Sequence, residues 1–462
     1  MLRFLQTVYD LILSPALLAA VLAAGVLCTV RLGKHFLRHP LWVPGDLIRP
    51  PKSGGRLSAL KALTVALAGT LGVGNIAGVA SAIATGGAGA VFWMWLGALL
   101  SMLVKYAEVV LAIRYRKVDG TGFIGGAMYY MRRPWVAAVF SLLCLFASFA
   151  LGNVMQAQTV AESAREAYGI PPLLCGAVVA LLLYLVICRG FSRISSVTLC
   201  LVPLMSALYI GICLFAIGKE ISALPRVLAS IFRSAFTPSA ALGGAGGLVL
   251  ARVIRAGISR GLITHEAGCG TAPMAHAEAD TNSPVRQGFF GIFEVFADTM
   301  ILCSLTAFVL LIHIDRFPGL DGMELVIAAF ELSLGKSAGP ILASLIFFFA
   351  AATMIGWSHY GKTCLDYLTQ NSRRKETYKK LYAVAYSLMA IWGSVTSAGV
   401  MWLLSDYAVA LMTLLHLPDL LSRLREVTAL TRGYFAQSAR SLEKTLAPDA
   451  DSANSKDLRD TP

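Results

Sequence analysis

The chain has 462 residues, of which 57% are hydrophobic and only 14% are charged, with a formal net charge of +13. A soluble globular protein carries about 25% charged residues, so this deficit excludes an ordinary soluble enzyme, a disordered protein and a nucleic-acid-binding protein with a solvated surface. The composition is that of a membrane protein. At ~20 residues for each helix that crosses a bilayer, plus short loops, the length allows about ten or eleven spans.

Apolar runs bounded by charged residues, proline or glycine predict eleven membrane-spanning helices, so we expect an all-α polytopic membrane protein. The first run is too long for a signal peptide and lacks a clear cleavage site, so it is interpreted as an anchor helix. The predicted spans are 8–30, 58–84, 90–113, 136–162, 172–188, 194–218, 239–263, 287–313, 339–361, 378–394 and 397–416.

Lysine and arginine are concentrated in alternate loops, with six in the loop 31–57 and five in the loop 114–135. Such a bias marks the cytoplasmic side of a membrane. It places the N-terminus outside and the C-terminus in the cytoplasm of a multi-pass protein, which we expect in a bacterial plasma (inner) membrane. The charge then reflects topology and contact with lipid headgroups, so the expected partner is the lipid bilayer and not a nucleic acid.

Two of the predicted spans are interrupted by glycine. Span two has four glycines between Gly69 and Gly78, and glycine is poor helix material. Broken helix survives in a membrane only where it lines a cavity or packs on protein. The alternative is a small-residue packing face formed by Gly74 and Gly78. The side-chain amide of Asn75 favours the interpretation as a cavity, because an amide in the membrane needs a partner such as a ligand, an ion or another helix.

Span seven is interrupted in the same relative position, first at Arg252–Gly261 and again at Glu266–Pro273. Interrupted spans at corresponding places in two halves point to a transporter binding site. Five spans per half give the two halves opposite topology. The predicted organisation is an N-terminal anchor helix and basic cytoplasmic loop (1–57), a first inverted repeat (58–218), an external amphipathic helix (219–238), a second inverted repeat (239–416) and a cytoplasmic tail (417–462), whose end at 446–462 is predicted to be disordered.

The ends of broken helices predict the chemistry of the ligand. Free N–H groups at a half-helix N-terminus suit a carboxylate, and carbonyl groups at a half-helix C-terminus suit an ammonium group or Na⁺. A zwitterionic amino acid matches both. We expect its carboxylate near Gly72–Asn75 and its ammonium group near Ala256–Gly261.

Several motifs at these positions resemble one transporter family. They are Gly74–Ala80 (GNIAGVA), Gly86–Leu96 (GGAGAVFWMWL), Gly125–Tyr130 (GGAMYY), Arg260–Leu262 (RGL), Glu266–Gly268 (EAG), Pro284–Gly288 (PVRQG), Phe296–Thr299 (FADT) and Gly356–Ser358 (GWS). Across about residues 55–416 the chain resembles the alanine or glycine:cation symporters, also called sodium:alanine symporters. The resemblance implies the five-plus-five inverted repeat of leucine-transporter-like proteins in the APC superfamily. It also implies import of alanine or glycine, with D-alanine as a further candidate, driven by Na⁺ or H⁺.

The chain departs from the family pattern where hydroxyl groups are expected. Val73 stands where the family usually has Thr, and Ala352 stands where it has Ser. Hydroxyl oxygens are hard ligands of the kind that alkali and alkaline-earth cations prefer. Their loss makes coupling to H⁺, or a shifted ion site, an alternative to coupling to Na⁺.

The candidate site residues fall into three groups, and no organic cofactor is expected. Gln156 enters through the resemblance, which implies a substrate-contacting glutamine in this motif. The substrate-binding candidates are Gly72, Val73, Gly74, Asn75, Gln156, Ala256, Gly257, Gly261 and Trp357. The Na⁺ candidates are Gly69, Gly72 and Thr353, and the gating candidates are Lys105, Glu108 and Glu266.

Each polar candidate has a structural alternative. The hydroxyl of Thr353 could bond back to its own helix. Lys105 and Glu108 are three residues apart on one face and could neutralise each other, although intramembrane charges are functional candidates. Asp298 could pair with an arginine of span seven or carry a proton.

The predicted function is secondary active transport of a small amino acid by alternating access. A membrane enzyme is not expected, because the histidines are scattered and His265-Glu266 lacks the H-E-x-x-H spacing. A channel, an uncoupled or H⁺-coupled permease and a sensor without transport remain as alternatives. The sequence makes no prediction of the oligomeric state.

Overall fold

A computed structural model describes residues 2–38, 45, 56–120, 122–236, 246–396 and 399–446. Most of the predicted basic loop, at 39–44 and 46–55, lies outside the described residues. So do the predicted start of the seventh span, at 239–245, and the predicted disordered end, at 447–462.

Helices dominate the first half of the chain. In order, its elements are α1 (Leu2–Val8), a π-helical turn (Tyr9–Leu13), α2 (Ser14–Arg38), α3 (Arg56–Thr70), a 3₁₀ turn (Val73–Asn75), α4 (Ala77–Gly86), α5 (Gly89–Tyr115), β1 (Lys117–Asp119), β2 (Gly122–Ile124), α6 (Ala127–Tyr130), α7 (Pro134–Phe149), a π-helical turn (Ala150–Val154), α8 (Met155–Tyr168), α9 (Pro172–Ile187), α10 (Phe191–Lys219), a 3₁₀ turn (Ile221–Ala223) and α11 (Leu224–Phe236).

The second half continues in the same way. Its elements are α12 (Gly246–His265), α13 (Ala272–His276), α14 (Pro284–Val295), a π-helical segment (Phe296–Cys303), α15 (Ser304–His313), a 3₁₀ turn (Ile314–Arg316), α16 (Gly322–Leu334), a 3₁₀ turn (Gly335–Ser337), α17 (Ala338–Leu368), α18 (Lys375–Val395), α19 (Gly399–Ser422) and α20 (Leu424–Leu446). Against the all-α prediction, β1 and β2 pair as a small antiparallel hairpin, with Lys117 opposite Ile124.

The described helices include seven that are long and apolar enough to cross a membrane, or eight with one bent pair. A multi-pass membrane protein is therefore confirmed, whereas the number of eleven spans stays a prediction. Predicted span five is α9, which has only 16 residues. At 1.5 Å per residue that is about 24 Å, less than the ~30 Å of a hydrocarbon core. Predicted span seven is α12, which carries Arg252, Arg255 and Arg260.

The predicted interruption of span two is confirmed. Ser58–Thr70 and Val73–Gly86 meet at an angle of 63°. Between them, Gly72 is extended with φ −128° and ψ −165°, and the short turn Val73–Asn75 follows. The glycine-rich sequence thus ends one half-helix and starts another.

The interruption of span seven lies later than its first predicted position. The prediction of a break at Arg252–Gly261 is wrong, because α12 continues without interruption to His265. The break falls between α12 and α13, where Glu266, Gly268 and Gly270 all have positive φ of 51°, 86° and 79°. Glycine adopts this conformation freely, whereas at Glu266 it is uncommon for a residue with a side chain.

The core is built around α5, which packs extensively on α12 and α14. The residues beyond the predicted last span are helical, since α19 runs through Pro418 to Ser422. After it, α20 packs against α2, α5 and α14. The predicted amphipathic helix at 219–238 corresponds to the short turn Ile221–Ala223 and to α11, while residues 237 and 238 lie outside the described residues. Trp93 Nε1 donates to Ala235 O of α11 at 3.1 Å.

Candidate functional site

A cavity of about 50 Å³ lies at the first break, between α3, α8, α17 and the end of α12. Predicted residues from all three groups surround it. They are Gly69, Gly72, Val73, Gly74, Gln156, Thr353, Trp357 and Glu266. The remaining lining comes from Thr70, Leu151, Met155, Thr159, Ile263 and Thr264. The structure therefore brings together most of the residues that the sequence predicted from distant segments.

Asn75 shapes the break and is not among the residues that line the cavity. Its Oδ1 accepts a hydrogen bond from Gly72 N at 3.0 Å, which closes the turn Val73–Asn75. Its Nδ2 donates to Asp298 Oδ1 at 2.6 Å and lies 3.4 Å from Cys303 Sγ. The Asn75 side chain is fully buried, so it positions the backbone that faces the cavity.

Thr353 reaches from α17 to the last turn of α3. Its hydroxyl donates to Phe349 O at 3.1 Å and is 3.3 Å from Leu71 O. A Cβ on Gly72 would lie only 2.7 Å from Thr353 Oγ1. The last carbonyls of a helix lack partners within it and form the negative end of its dipole. Hydroxyl and carbonyl oxygens thus meet here in an arrangement suited to a small cation.

Gly69, the other Na⁺ candidate, packs closely on α17. A Cβ on Gly69 would lie 2.6 Å from Tyr360 Oη, and one on Gly356 would lie 2.6 Å from Gly69 N. In the described part of the chain, no cluster of three or more His, Cys, Asp or Glu could hold a metal ion. The cation ligands that the cavity offers are oxygen atoms of the backbone and of hydroxyl groups, together with the carboxyl group of Glu266.

Gln156 presents an unpaired carbonyl oxygen beside the cavity. Its Nε2 donates to Leu151 O at 3.4 Å, whereas its buried Oε1 has no hydrogen-bond partner among the described residues. A buried acceptor without a partner is costly. A ligand with N–H donors would satisfy it.

Trp357 is held against the π-helical turn that precedes Gln156. A Cβ on Gly152 would collide with the Trp357 side chain. Tyr386 Oη lies 3.1 Å from Gly152 O and 2.8 Å from Met354 O, and Asn153 Nδ2 donates to Tyr386 O at 2.6 Å. The indole is thereby fixed as a wall of the cavity, and π-helical turns are frequent at functional sites.

The second break contributes its helix C-terminus and a carboxyl group. Glu266 lines the cavity, and its Oε2 accepts from Thr271 Oγ1 at 2.7 Å. Thr264, a further lining residue, donates to Gly261 O at 2.8 Å. The cavity thus meets α12 at Ile263–Glu266, beyond the segment Ala256–Gly261 that the sequence predicted.

Ala256, Gly257 and Gly261 lie on the face of α12 that packs on α5. A Cβ on Gly257 would collide with Ala90 O, and one on Gly261 would lie 3.1 Å from Met94 Cγ. Ala256 meets Gly86, where an added Cβ would be 2.9 Å from Ala256 Cβ. These small residues allow α12 to approach closely both α5 and the end of α4 at Gly86.

Lys105 and Glu108 do not neutralise each other, which corrects the structural alternative for this pair. Lys105 Nζ donates to Glu294 Oε1 at 3.1 Å, and His276 Nε2 lies 3.2 Å from Glu294 Oε2. Glu108 Oε1 instead accepts from Gly270 N at 3.0 Å and lies 3.5 Å from His416 Nδ1. Glu108 thereby ties α5 to the second break.

His276 and His416 are partners that sequence analysis missed. His416 Nδ1 is 2.8 Å from Gly268 O, and His416 Nε2 is 2.6 Å from Tyr130 Oη. A signal was available for His416, which ends predicted span eleven, because ionisable residues within membrane segments are functional candidates. His276 lies between predicted spans seven and eight, where this signal does not apply. The predicted arginine partner for Asp298 is wrong, since this side chain contacts Asn75 and Thr299.

Comparison with known proteins identifies relatives over nearly the full length. A model of the sodium:alanine symporter family matches residues 1–447. The chain is 36% identical over 432 residues to the sodium/alanine symporter AgcS of Methanococcus maripaludis, covering 90% of this chain and 93% of the relative. It is 32% identical over 402 residues to the amino-acid carrier protein AlsT of Bacillus subtilis, covering 86% and 84%.

Solved structures with a similar fold include two that cover most of the chain. One is a substrate-bound, outward-open Na⁺-coupled sialic acid symporter, with a TM-score of 0.53 and 15% identity over 83% of this chain and 82% of that one. The other is MhsT in complex with L-phenylalanine, with a TM-score of 0.54 and 16% identity over 82% and 98%. At this identity the likeness concerns the fold alone, and it confirms the leucine-transporter-like fold.

Proposed function

The chain belongs to the sodium:alanine symporter family, and we propose that it imports a small neutral amino acid, alanine or glycine, together with a cation by alternating access. The family and the chain's apolar helices make it a multi-pass membrane transporter. The identity of the substrate and of the ion is the part that we propose.

The observation that carries the proposal is the cavity at the first break. Its volume of about 50 Å³ is room for roughly three or four waters, which an amino acid with a very small side chain can displace. Met155, Leu151 and Trp357 supply bulky walls. A large side chain would collide with them.

Backbone groups orient the amino acid in this proposal. The turn Val73–Asn75 and the start of α4 offer N–H groups to the carboxylate. The ammonium group faces the C-terminal carbonyls of α12 and the carboxyl group of Glu266. Gln156 Oε1, which lacks a partner among the described residues, accepts a further N–H of the ammonium group.

The cation candidate is Na⁺ beside Thr353. The hydroxyl of Thr353 and the carbonyl of Leu71 are 3.3 Å apart. Gly72 adjoins the Thr353 hydroxyl, and Gly69 lines the same cavity. The relative from M. maripaludis is named as a sodium/alanine symporter, which supports this choice. A cation here would join α3 to α17 and so favour a conformation in which the cavity is formed.

Lys105, Glu108 and Glu266 are proposed to gate the cytoplasmic path. Glu108 bonds Gly270 N and Glu266 bonds Thr271 Oγ1, so both carboxyl groups hold the second break. Lys105 fixes α14 through Glu294. In the proposed topology the N-terminus is outside and the C-terminus is in the cytoplasm of a bacterial cell. The five-plus-five inverted repeat at 58–218 and 239–416 is part of the same proposal.

Reconstitution of the full chain in liposomes tests the proposal. Uptake of labelled alanine and glycine is measured with a Na⁺ gradient and a pH gradient imposed separately, and unlabelled phenylalanine serves as a large competitor. We expect saturable, gradient-driven uptake that is inhibited by glycine and alanine but not by phenylalanine. Absence of uptake of any small amino acid under either gradient would overturn it, and saturable binding without flux would indicate a sensor.

A further inference from the structure

Asp298 is a buried carboxyl group that the proposed substrate and Na⁺ sites do not use. It lies in the π-helical segment Phe296–Cys303 and is fully buried. Among the described residues, no lysine, arginine or histidine forms an ion pair with it, because Lys105 and His276 both pair with Glu294. An ionised carboxylate in such surroundings is very costly unless a cation or proton compensates it.

The contacts of Asp298 are neutral, and they include a side-chain hydrogen bond with Thr264, which also lines the cavity. Oδ1 accepts from Asn75 Nδ2 at 2.6 Å, and Oδ2 lies 2.8 Å from Thr299 Oγ1. Other titratable groups near it, on the elements that pack against this segment or on the segment itself, are Lys105, His265, Glu266, Glu294 and Cys303. These groups have partners of their own. Lys105 pairs with Glu294, His265 Nδ1 accepts from Ala267 N, and Glu266 accepts from Thr271.

The orientation of the Asn75 side-chain amide favours a proton over a metal cation as the partner of the Asp298 carboxyl group. A backbone N–H can only donate, so the bond from Gly72 N identifies the atom it reaches as the amide oxygen of Asn75. The amide nitrogen must then face Asp298. A metal cation would meet this N–H donor, whereas a proton on Oδ2 leaves the bond from Asn75 to Oδ1 intact.

We infer that Asp298 is a proton-binding site whose occupancy is coupled to the substrate cavity through Asn75 and the Gly72 turn. When protonated, Asp298 Oδ2–H donates to Thr299 Oγ1 across the same contact. When ionised, the carboxylate attracts the Asn75 amide more strongly. Since the same amide closes the turn whose glycines line the cavity, proton binding and substrate binding influence each other reciprocally.

The inference rests on the proposed amino-acid transport and adds a transported proton to it. The test uses the full chain in liposomes that contain a pH-sensitive dye, with Na⁺ equal on both sides and the membrane potential clamped. Alanine added outside should acidify the interior of wild-type vesicles. With Asp298→Asn, alanine-for-alanine exchange should stay within about threefold of wild type, while the acidification falls to background. Asp406→Asn, which removes another carboxyl group in a membrane helix, near Arg260, should behave as wild type.

The outcomes separate the two proposals. Absence of both exchange and uptake in wild type contradicts the transport function itself. Alanine uptake without proton movement in wild type, or unchanged proton movement in Asp298→Asn, overturns the inference while transport stands. Should Asp298→Asn fail to fold, Asp298→Glu keeps a carboxyl group in a shifted position. That variant should still move protons, but the pH dependence of proton movement should change. An unchanged pH dependence would also overturn the inference.

Discussion

Gly72 lies where the hydroxyl of Thr353 approaches the first break. A Cβ at this position would be 2.7 Å from Thr353 Oγ1, so Gly72→Ala must displace the hydroxyl or the turn. Overpacking of this kind costs about 1–3 kcal/mol, and ~1.4 kcal/mol corresponds to tenfold in affinity. We expect alanine uptake by the reconstituted variant to require roughly 5- to 100-fold more cation or substrate.

A matched control exists six residues further along the chain. A Cβ on Gly78, within α4, would meet no atom within 4 Å. Gly78→Ala should therefore leave uptake unchanged. Equal uptake by both alanine variants would show that the close approach of Gly72 to Thr353 has no part in transport.

At the scale of elements, the second break depends on Glu108. Its Oε1 accepts from Gly270 N, and both groups are buried. Glu108→Ala leaves the N–H of Gly270 without this partner, at a cost of about 1–3 kcal/mol. We expect a lower thermal unfolding midpoint in detergent and slower transport.

Glu108→Gln is the control for that prediction, since its amide oxygen can still accept from Gly270 N. It should recover most of the lost thermal stability. If the alanine and glutamine variants unfold at the same temperature, the hydrogen bond to Gly270 N does not stabilise the second break.

The two breaks also show what sequence patterns can resolve. Gly72, Gly74 and Asn75 predicted the first break correctly, because glycine and a buried amide coincide there. In span seven, Gly257 and Gly261 give the same glycine signal, yet they serve close packing of α12 on α5. Composition alone does not separate a packing glycine from a breaking one.

For a related reason, the spacing of residues along the chain could not predict which charged side chains pair. Lys105 and Glu108, three residues apart, satisfy the rule for a pair on one helix face. The partner of Lys105 is Glu294, 189 positions away, and only the packing of α14 on α5 brings the two together. The residues around the cavity were predictable because the glycines that interrupt span two marked the break, and the family resemblance added Gln156.

For the whole molecule, the family resemblance implied the leucine-transporter-like fold, and the two interrupted spans predicted an inverted repeat, whereas the number of eleven spans stays a prediction. Predicted span ten corresponds to α18, whose first turns include Lys375, Lys379 and Lys380, and α9 is only 16 residues long. Such helices fit a bundle that shields them. Because of its charged first turns or its short length, each of these two helices does not meet the length and hydropathy expected of a span that stands alone in a bilayer.

The proposed topology can be tested with single cysteines. Val118 in the hairpin and Lys336 after α16 are both exposed. In a background where the exposed cysteines Cys188 and Cys200 are replaced by serine, a membrane-impermeant thiol reagent is applied to intact cells. Lys336→Cys should be labelled and Val118→Cys should not. The reverse pattern would invert the topology.

The central claim is that the cavity at the first break binds a small neutral amino acid, and Gln156 tests it most directly. The measurement is equilibrium binding of labelled alanine to the purified full chain. Hydrogen bonds to charged groups contribute about 1.5–3 kcal/mol, so Gln156→Ala should weaken binding roughly 10- to 100-fold. Gln158→Ala, whose side chain bonds Glu162 on the exposed side of α8, should bind as wild type. Wild-type affinity in Gln156→Ala would contradict the claim.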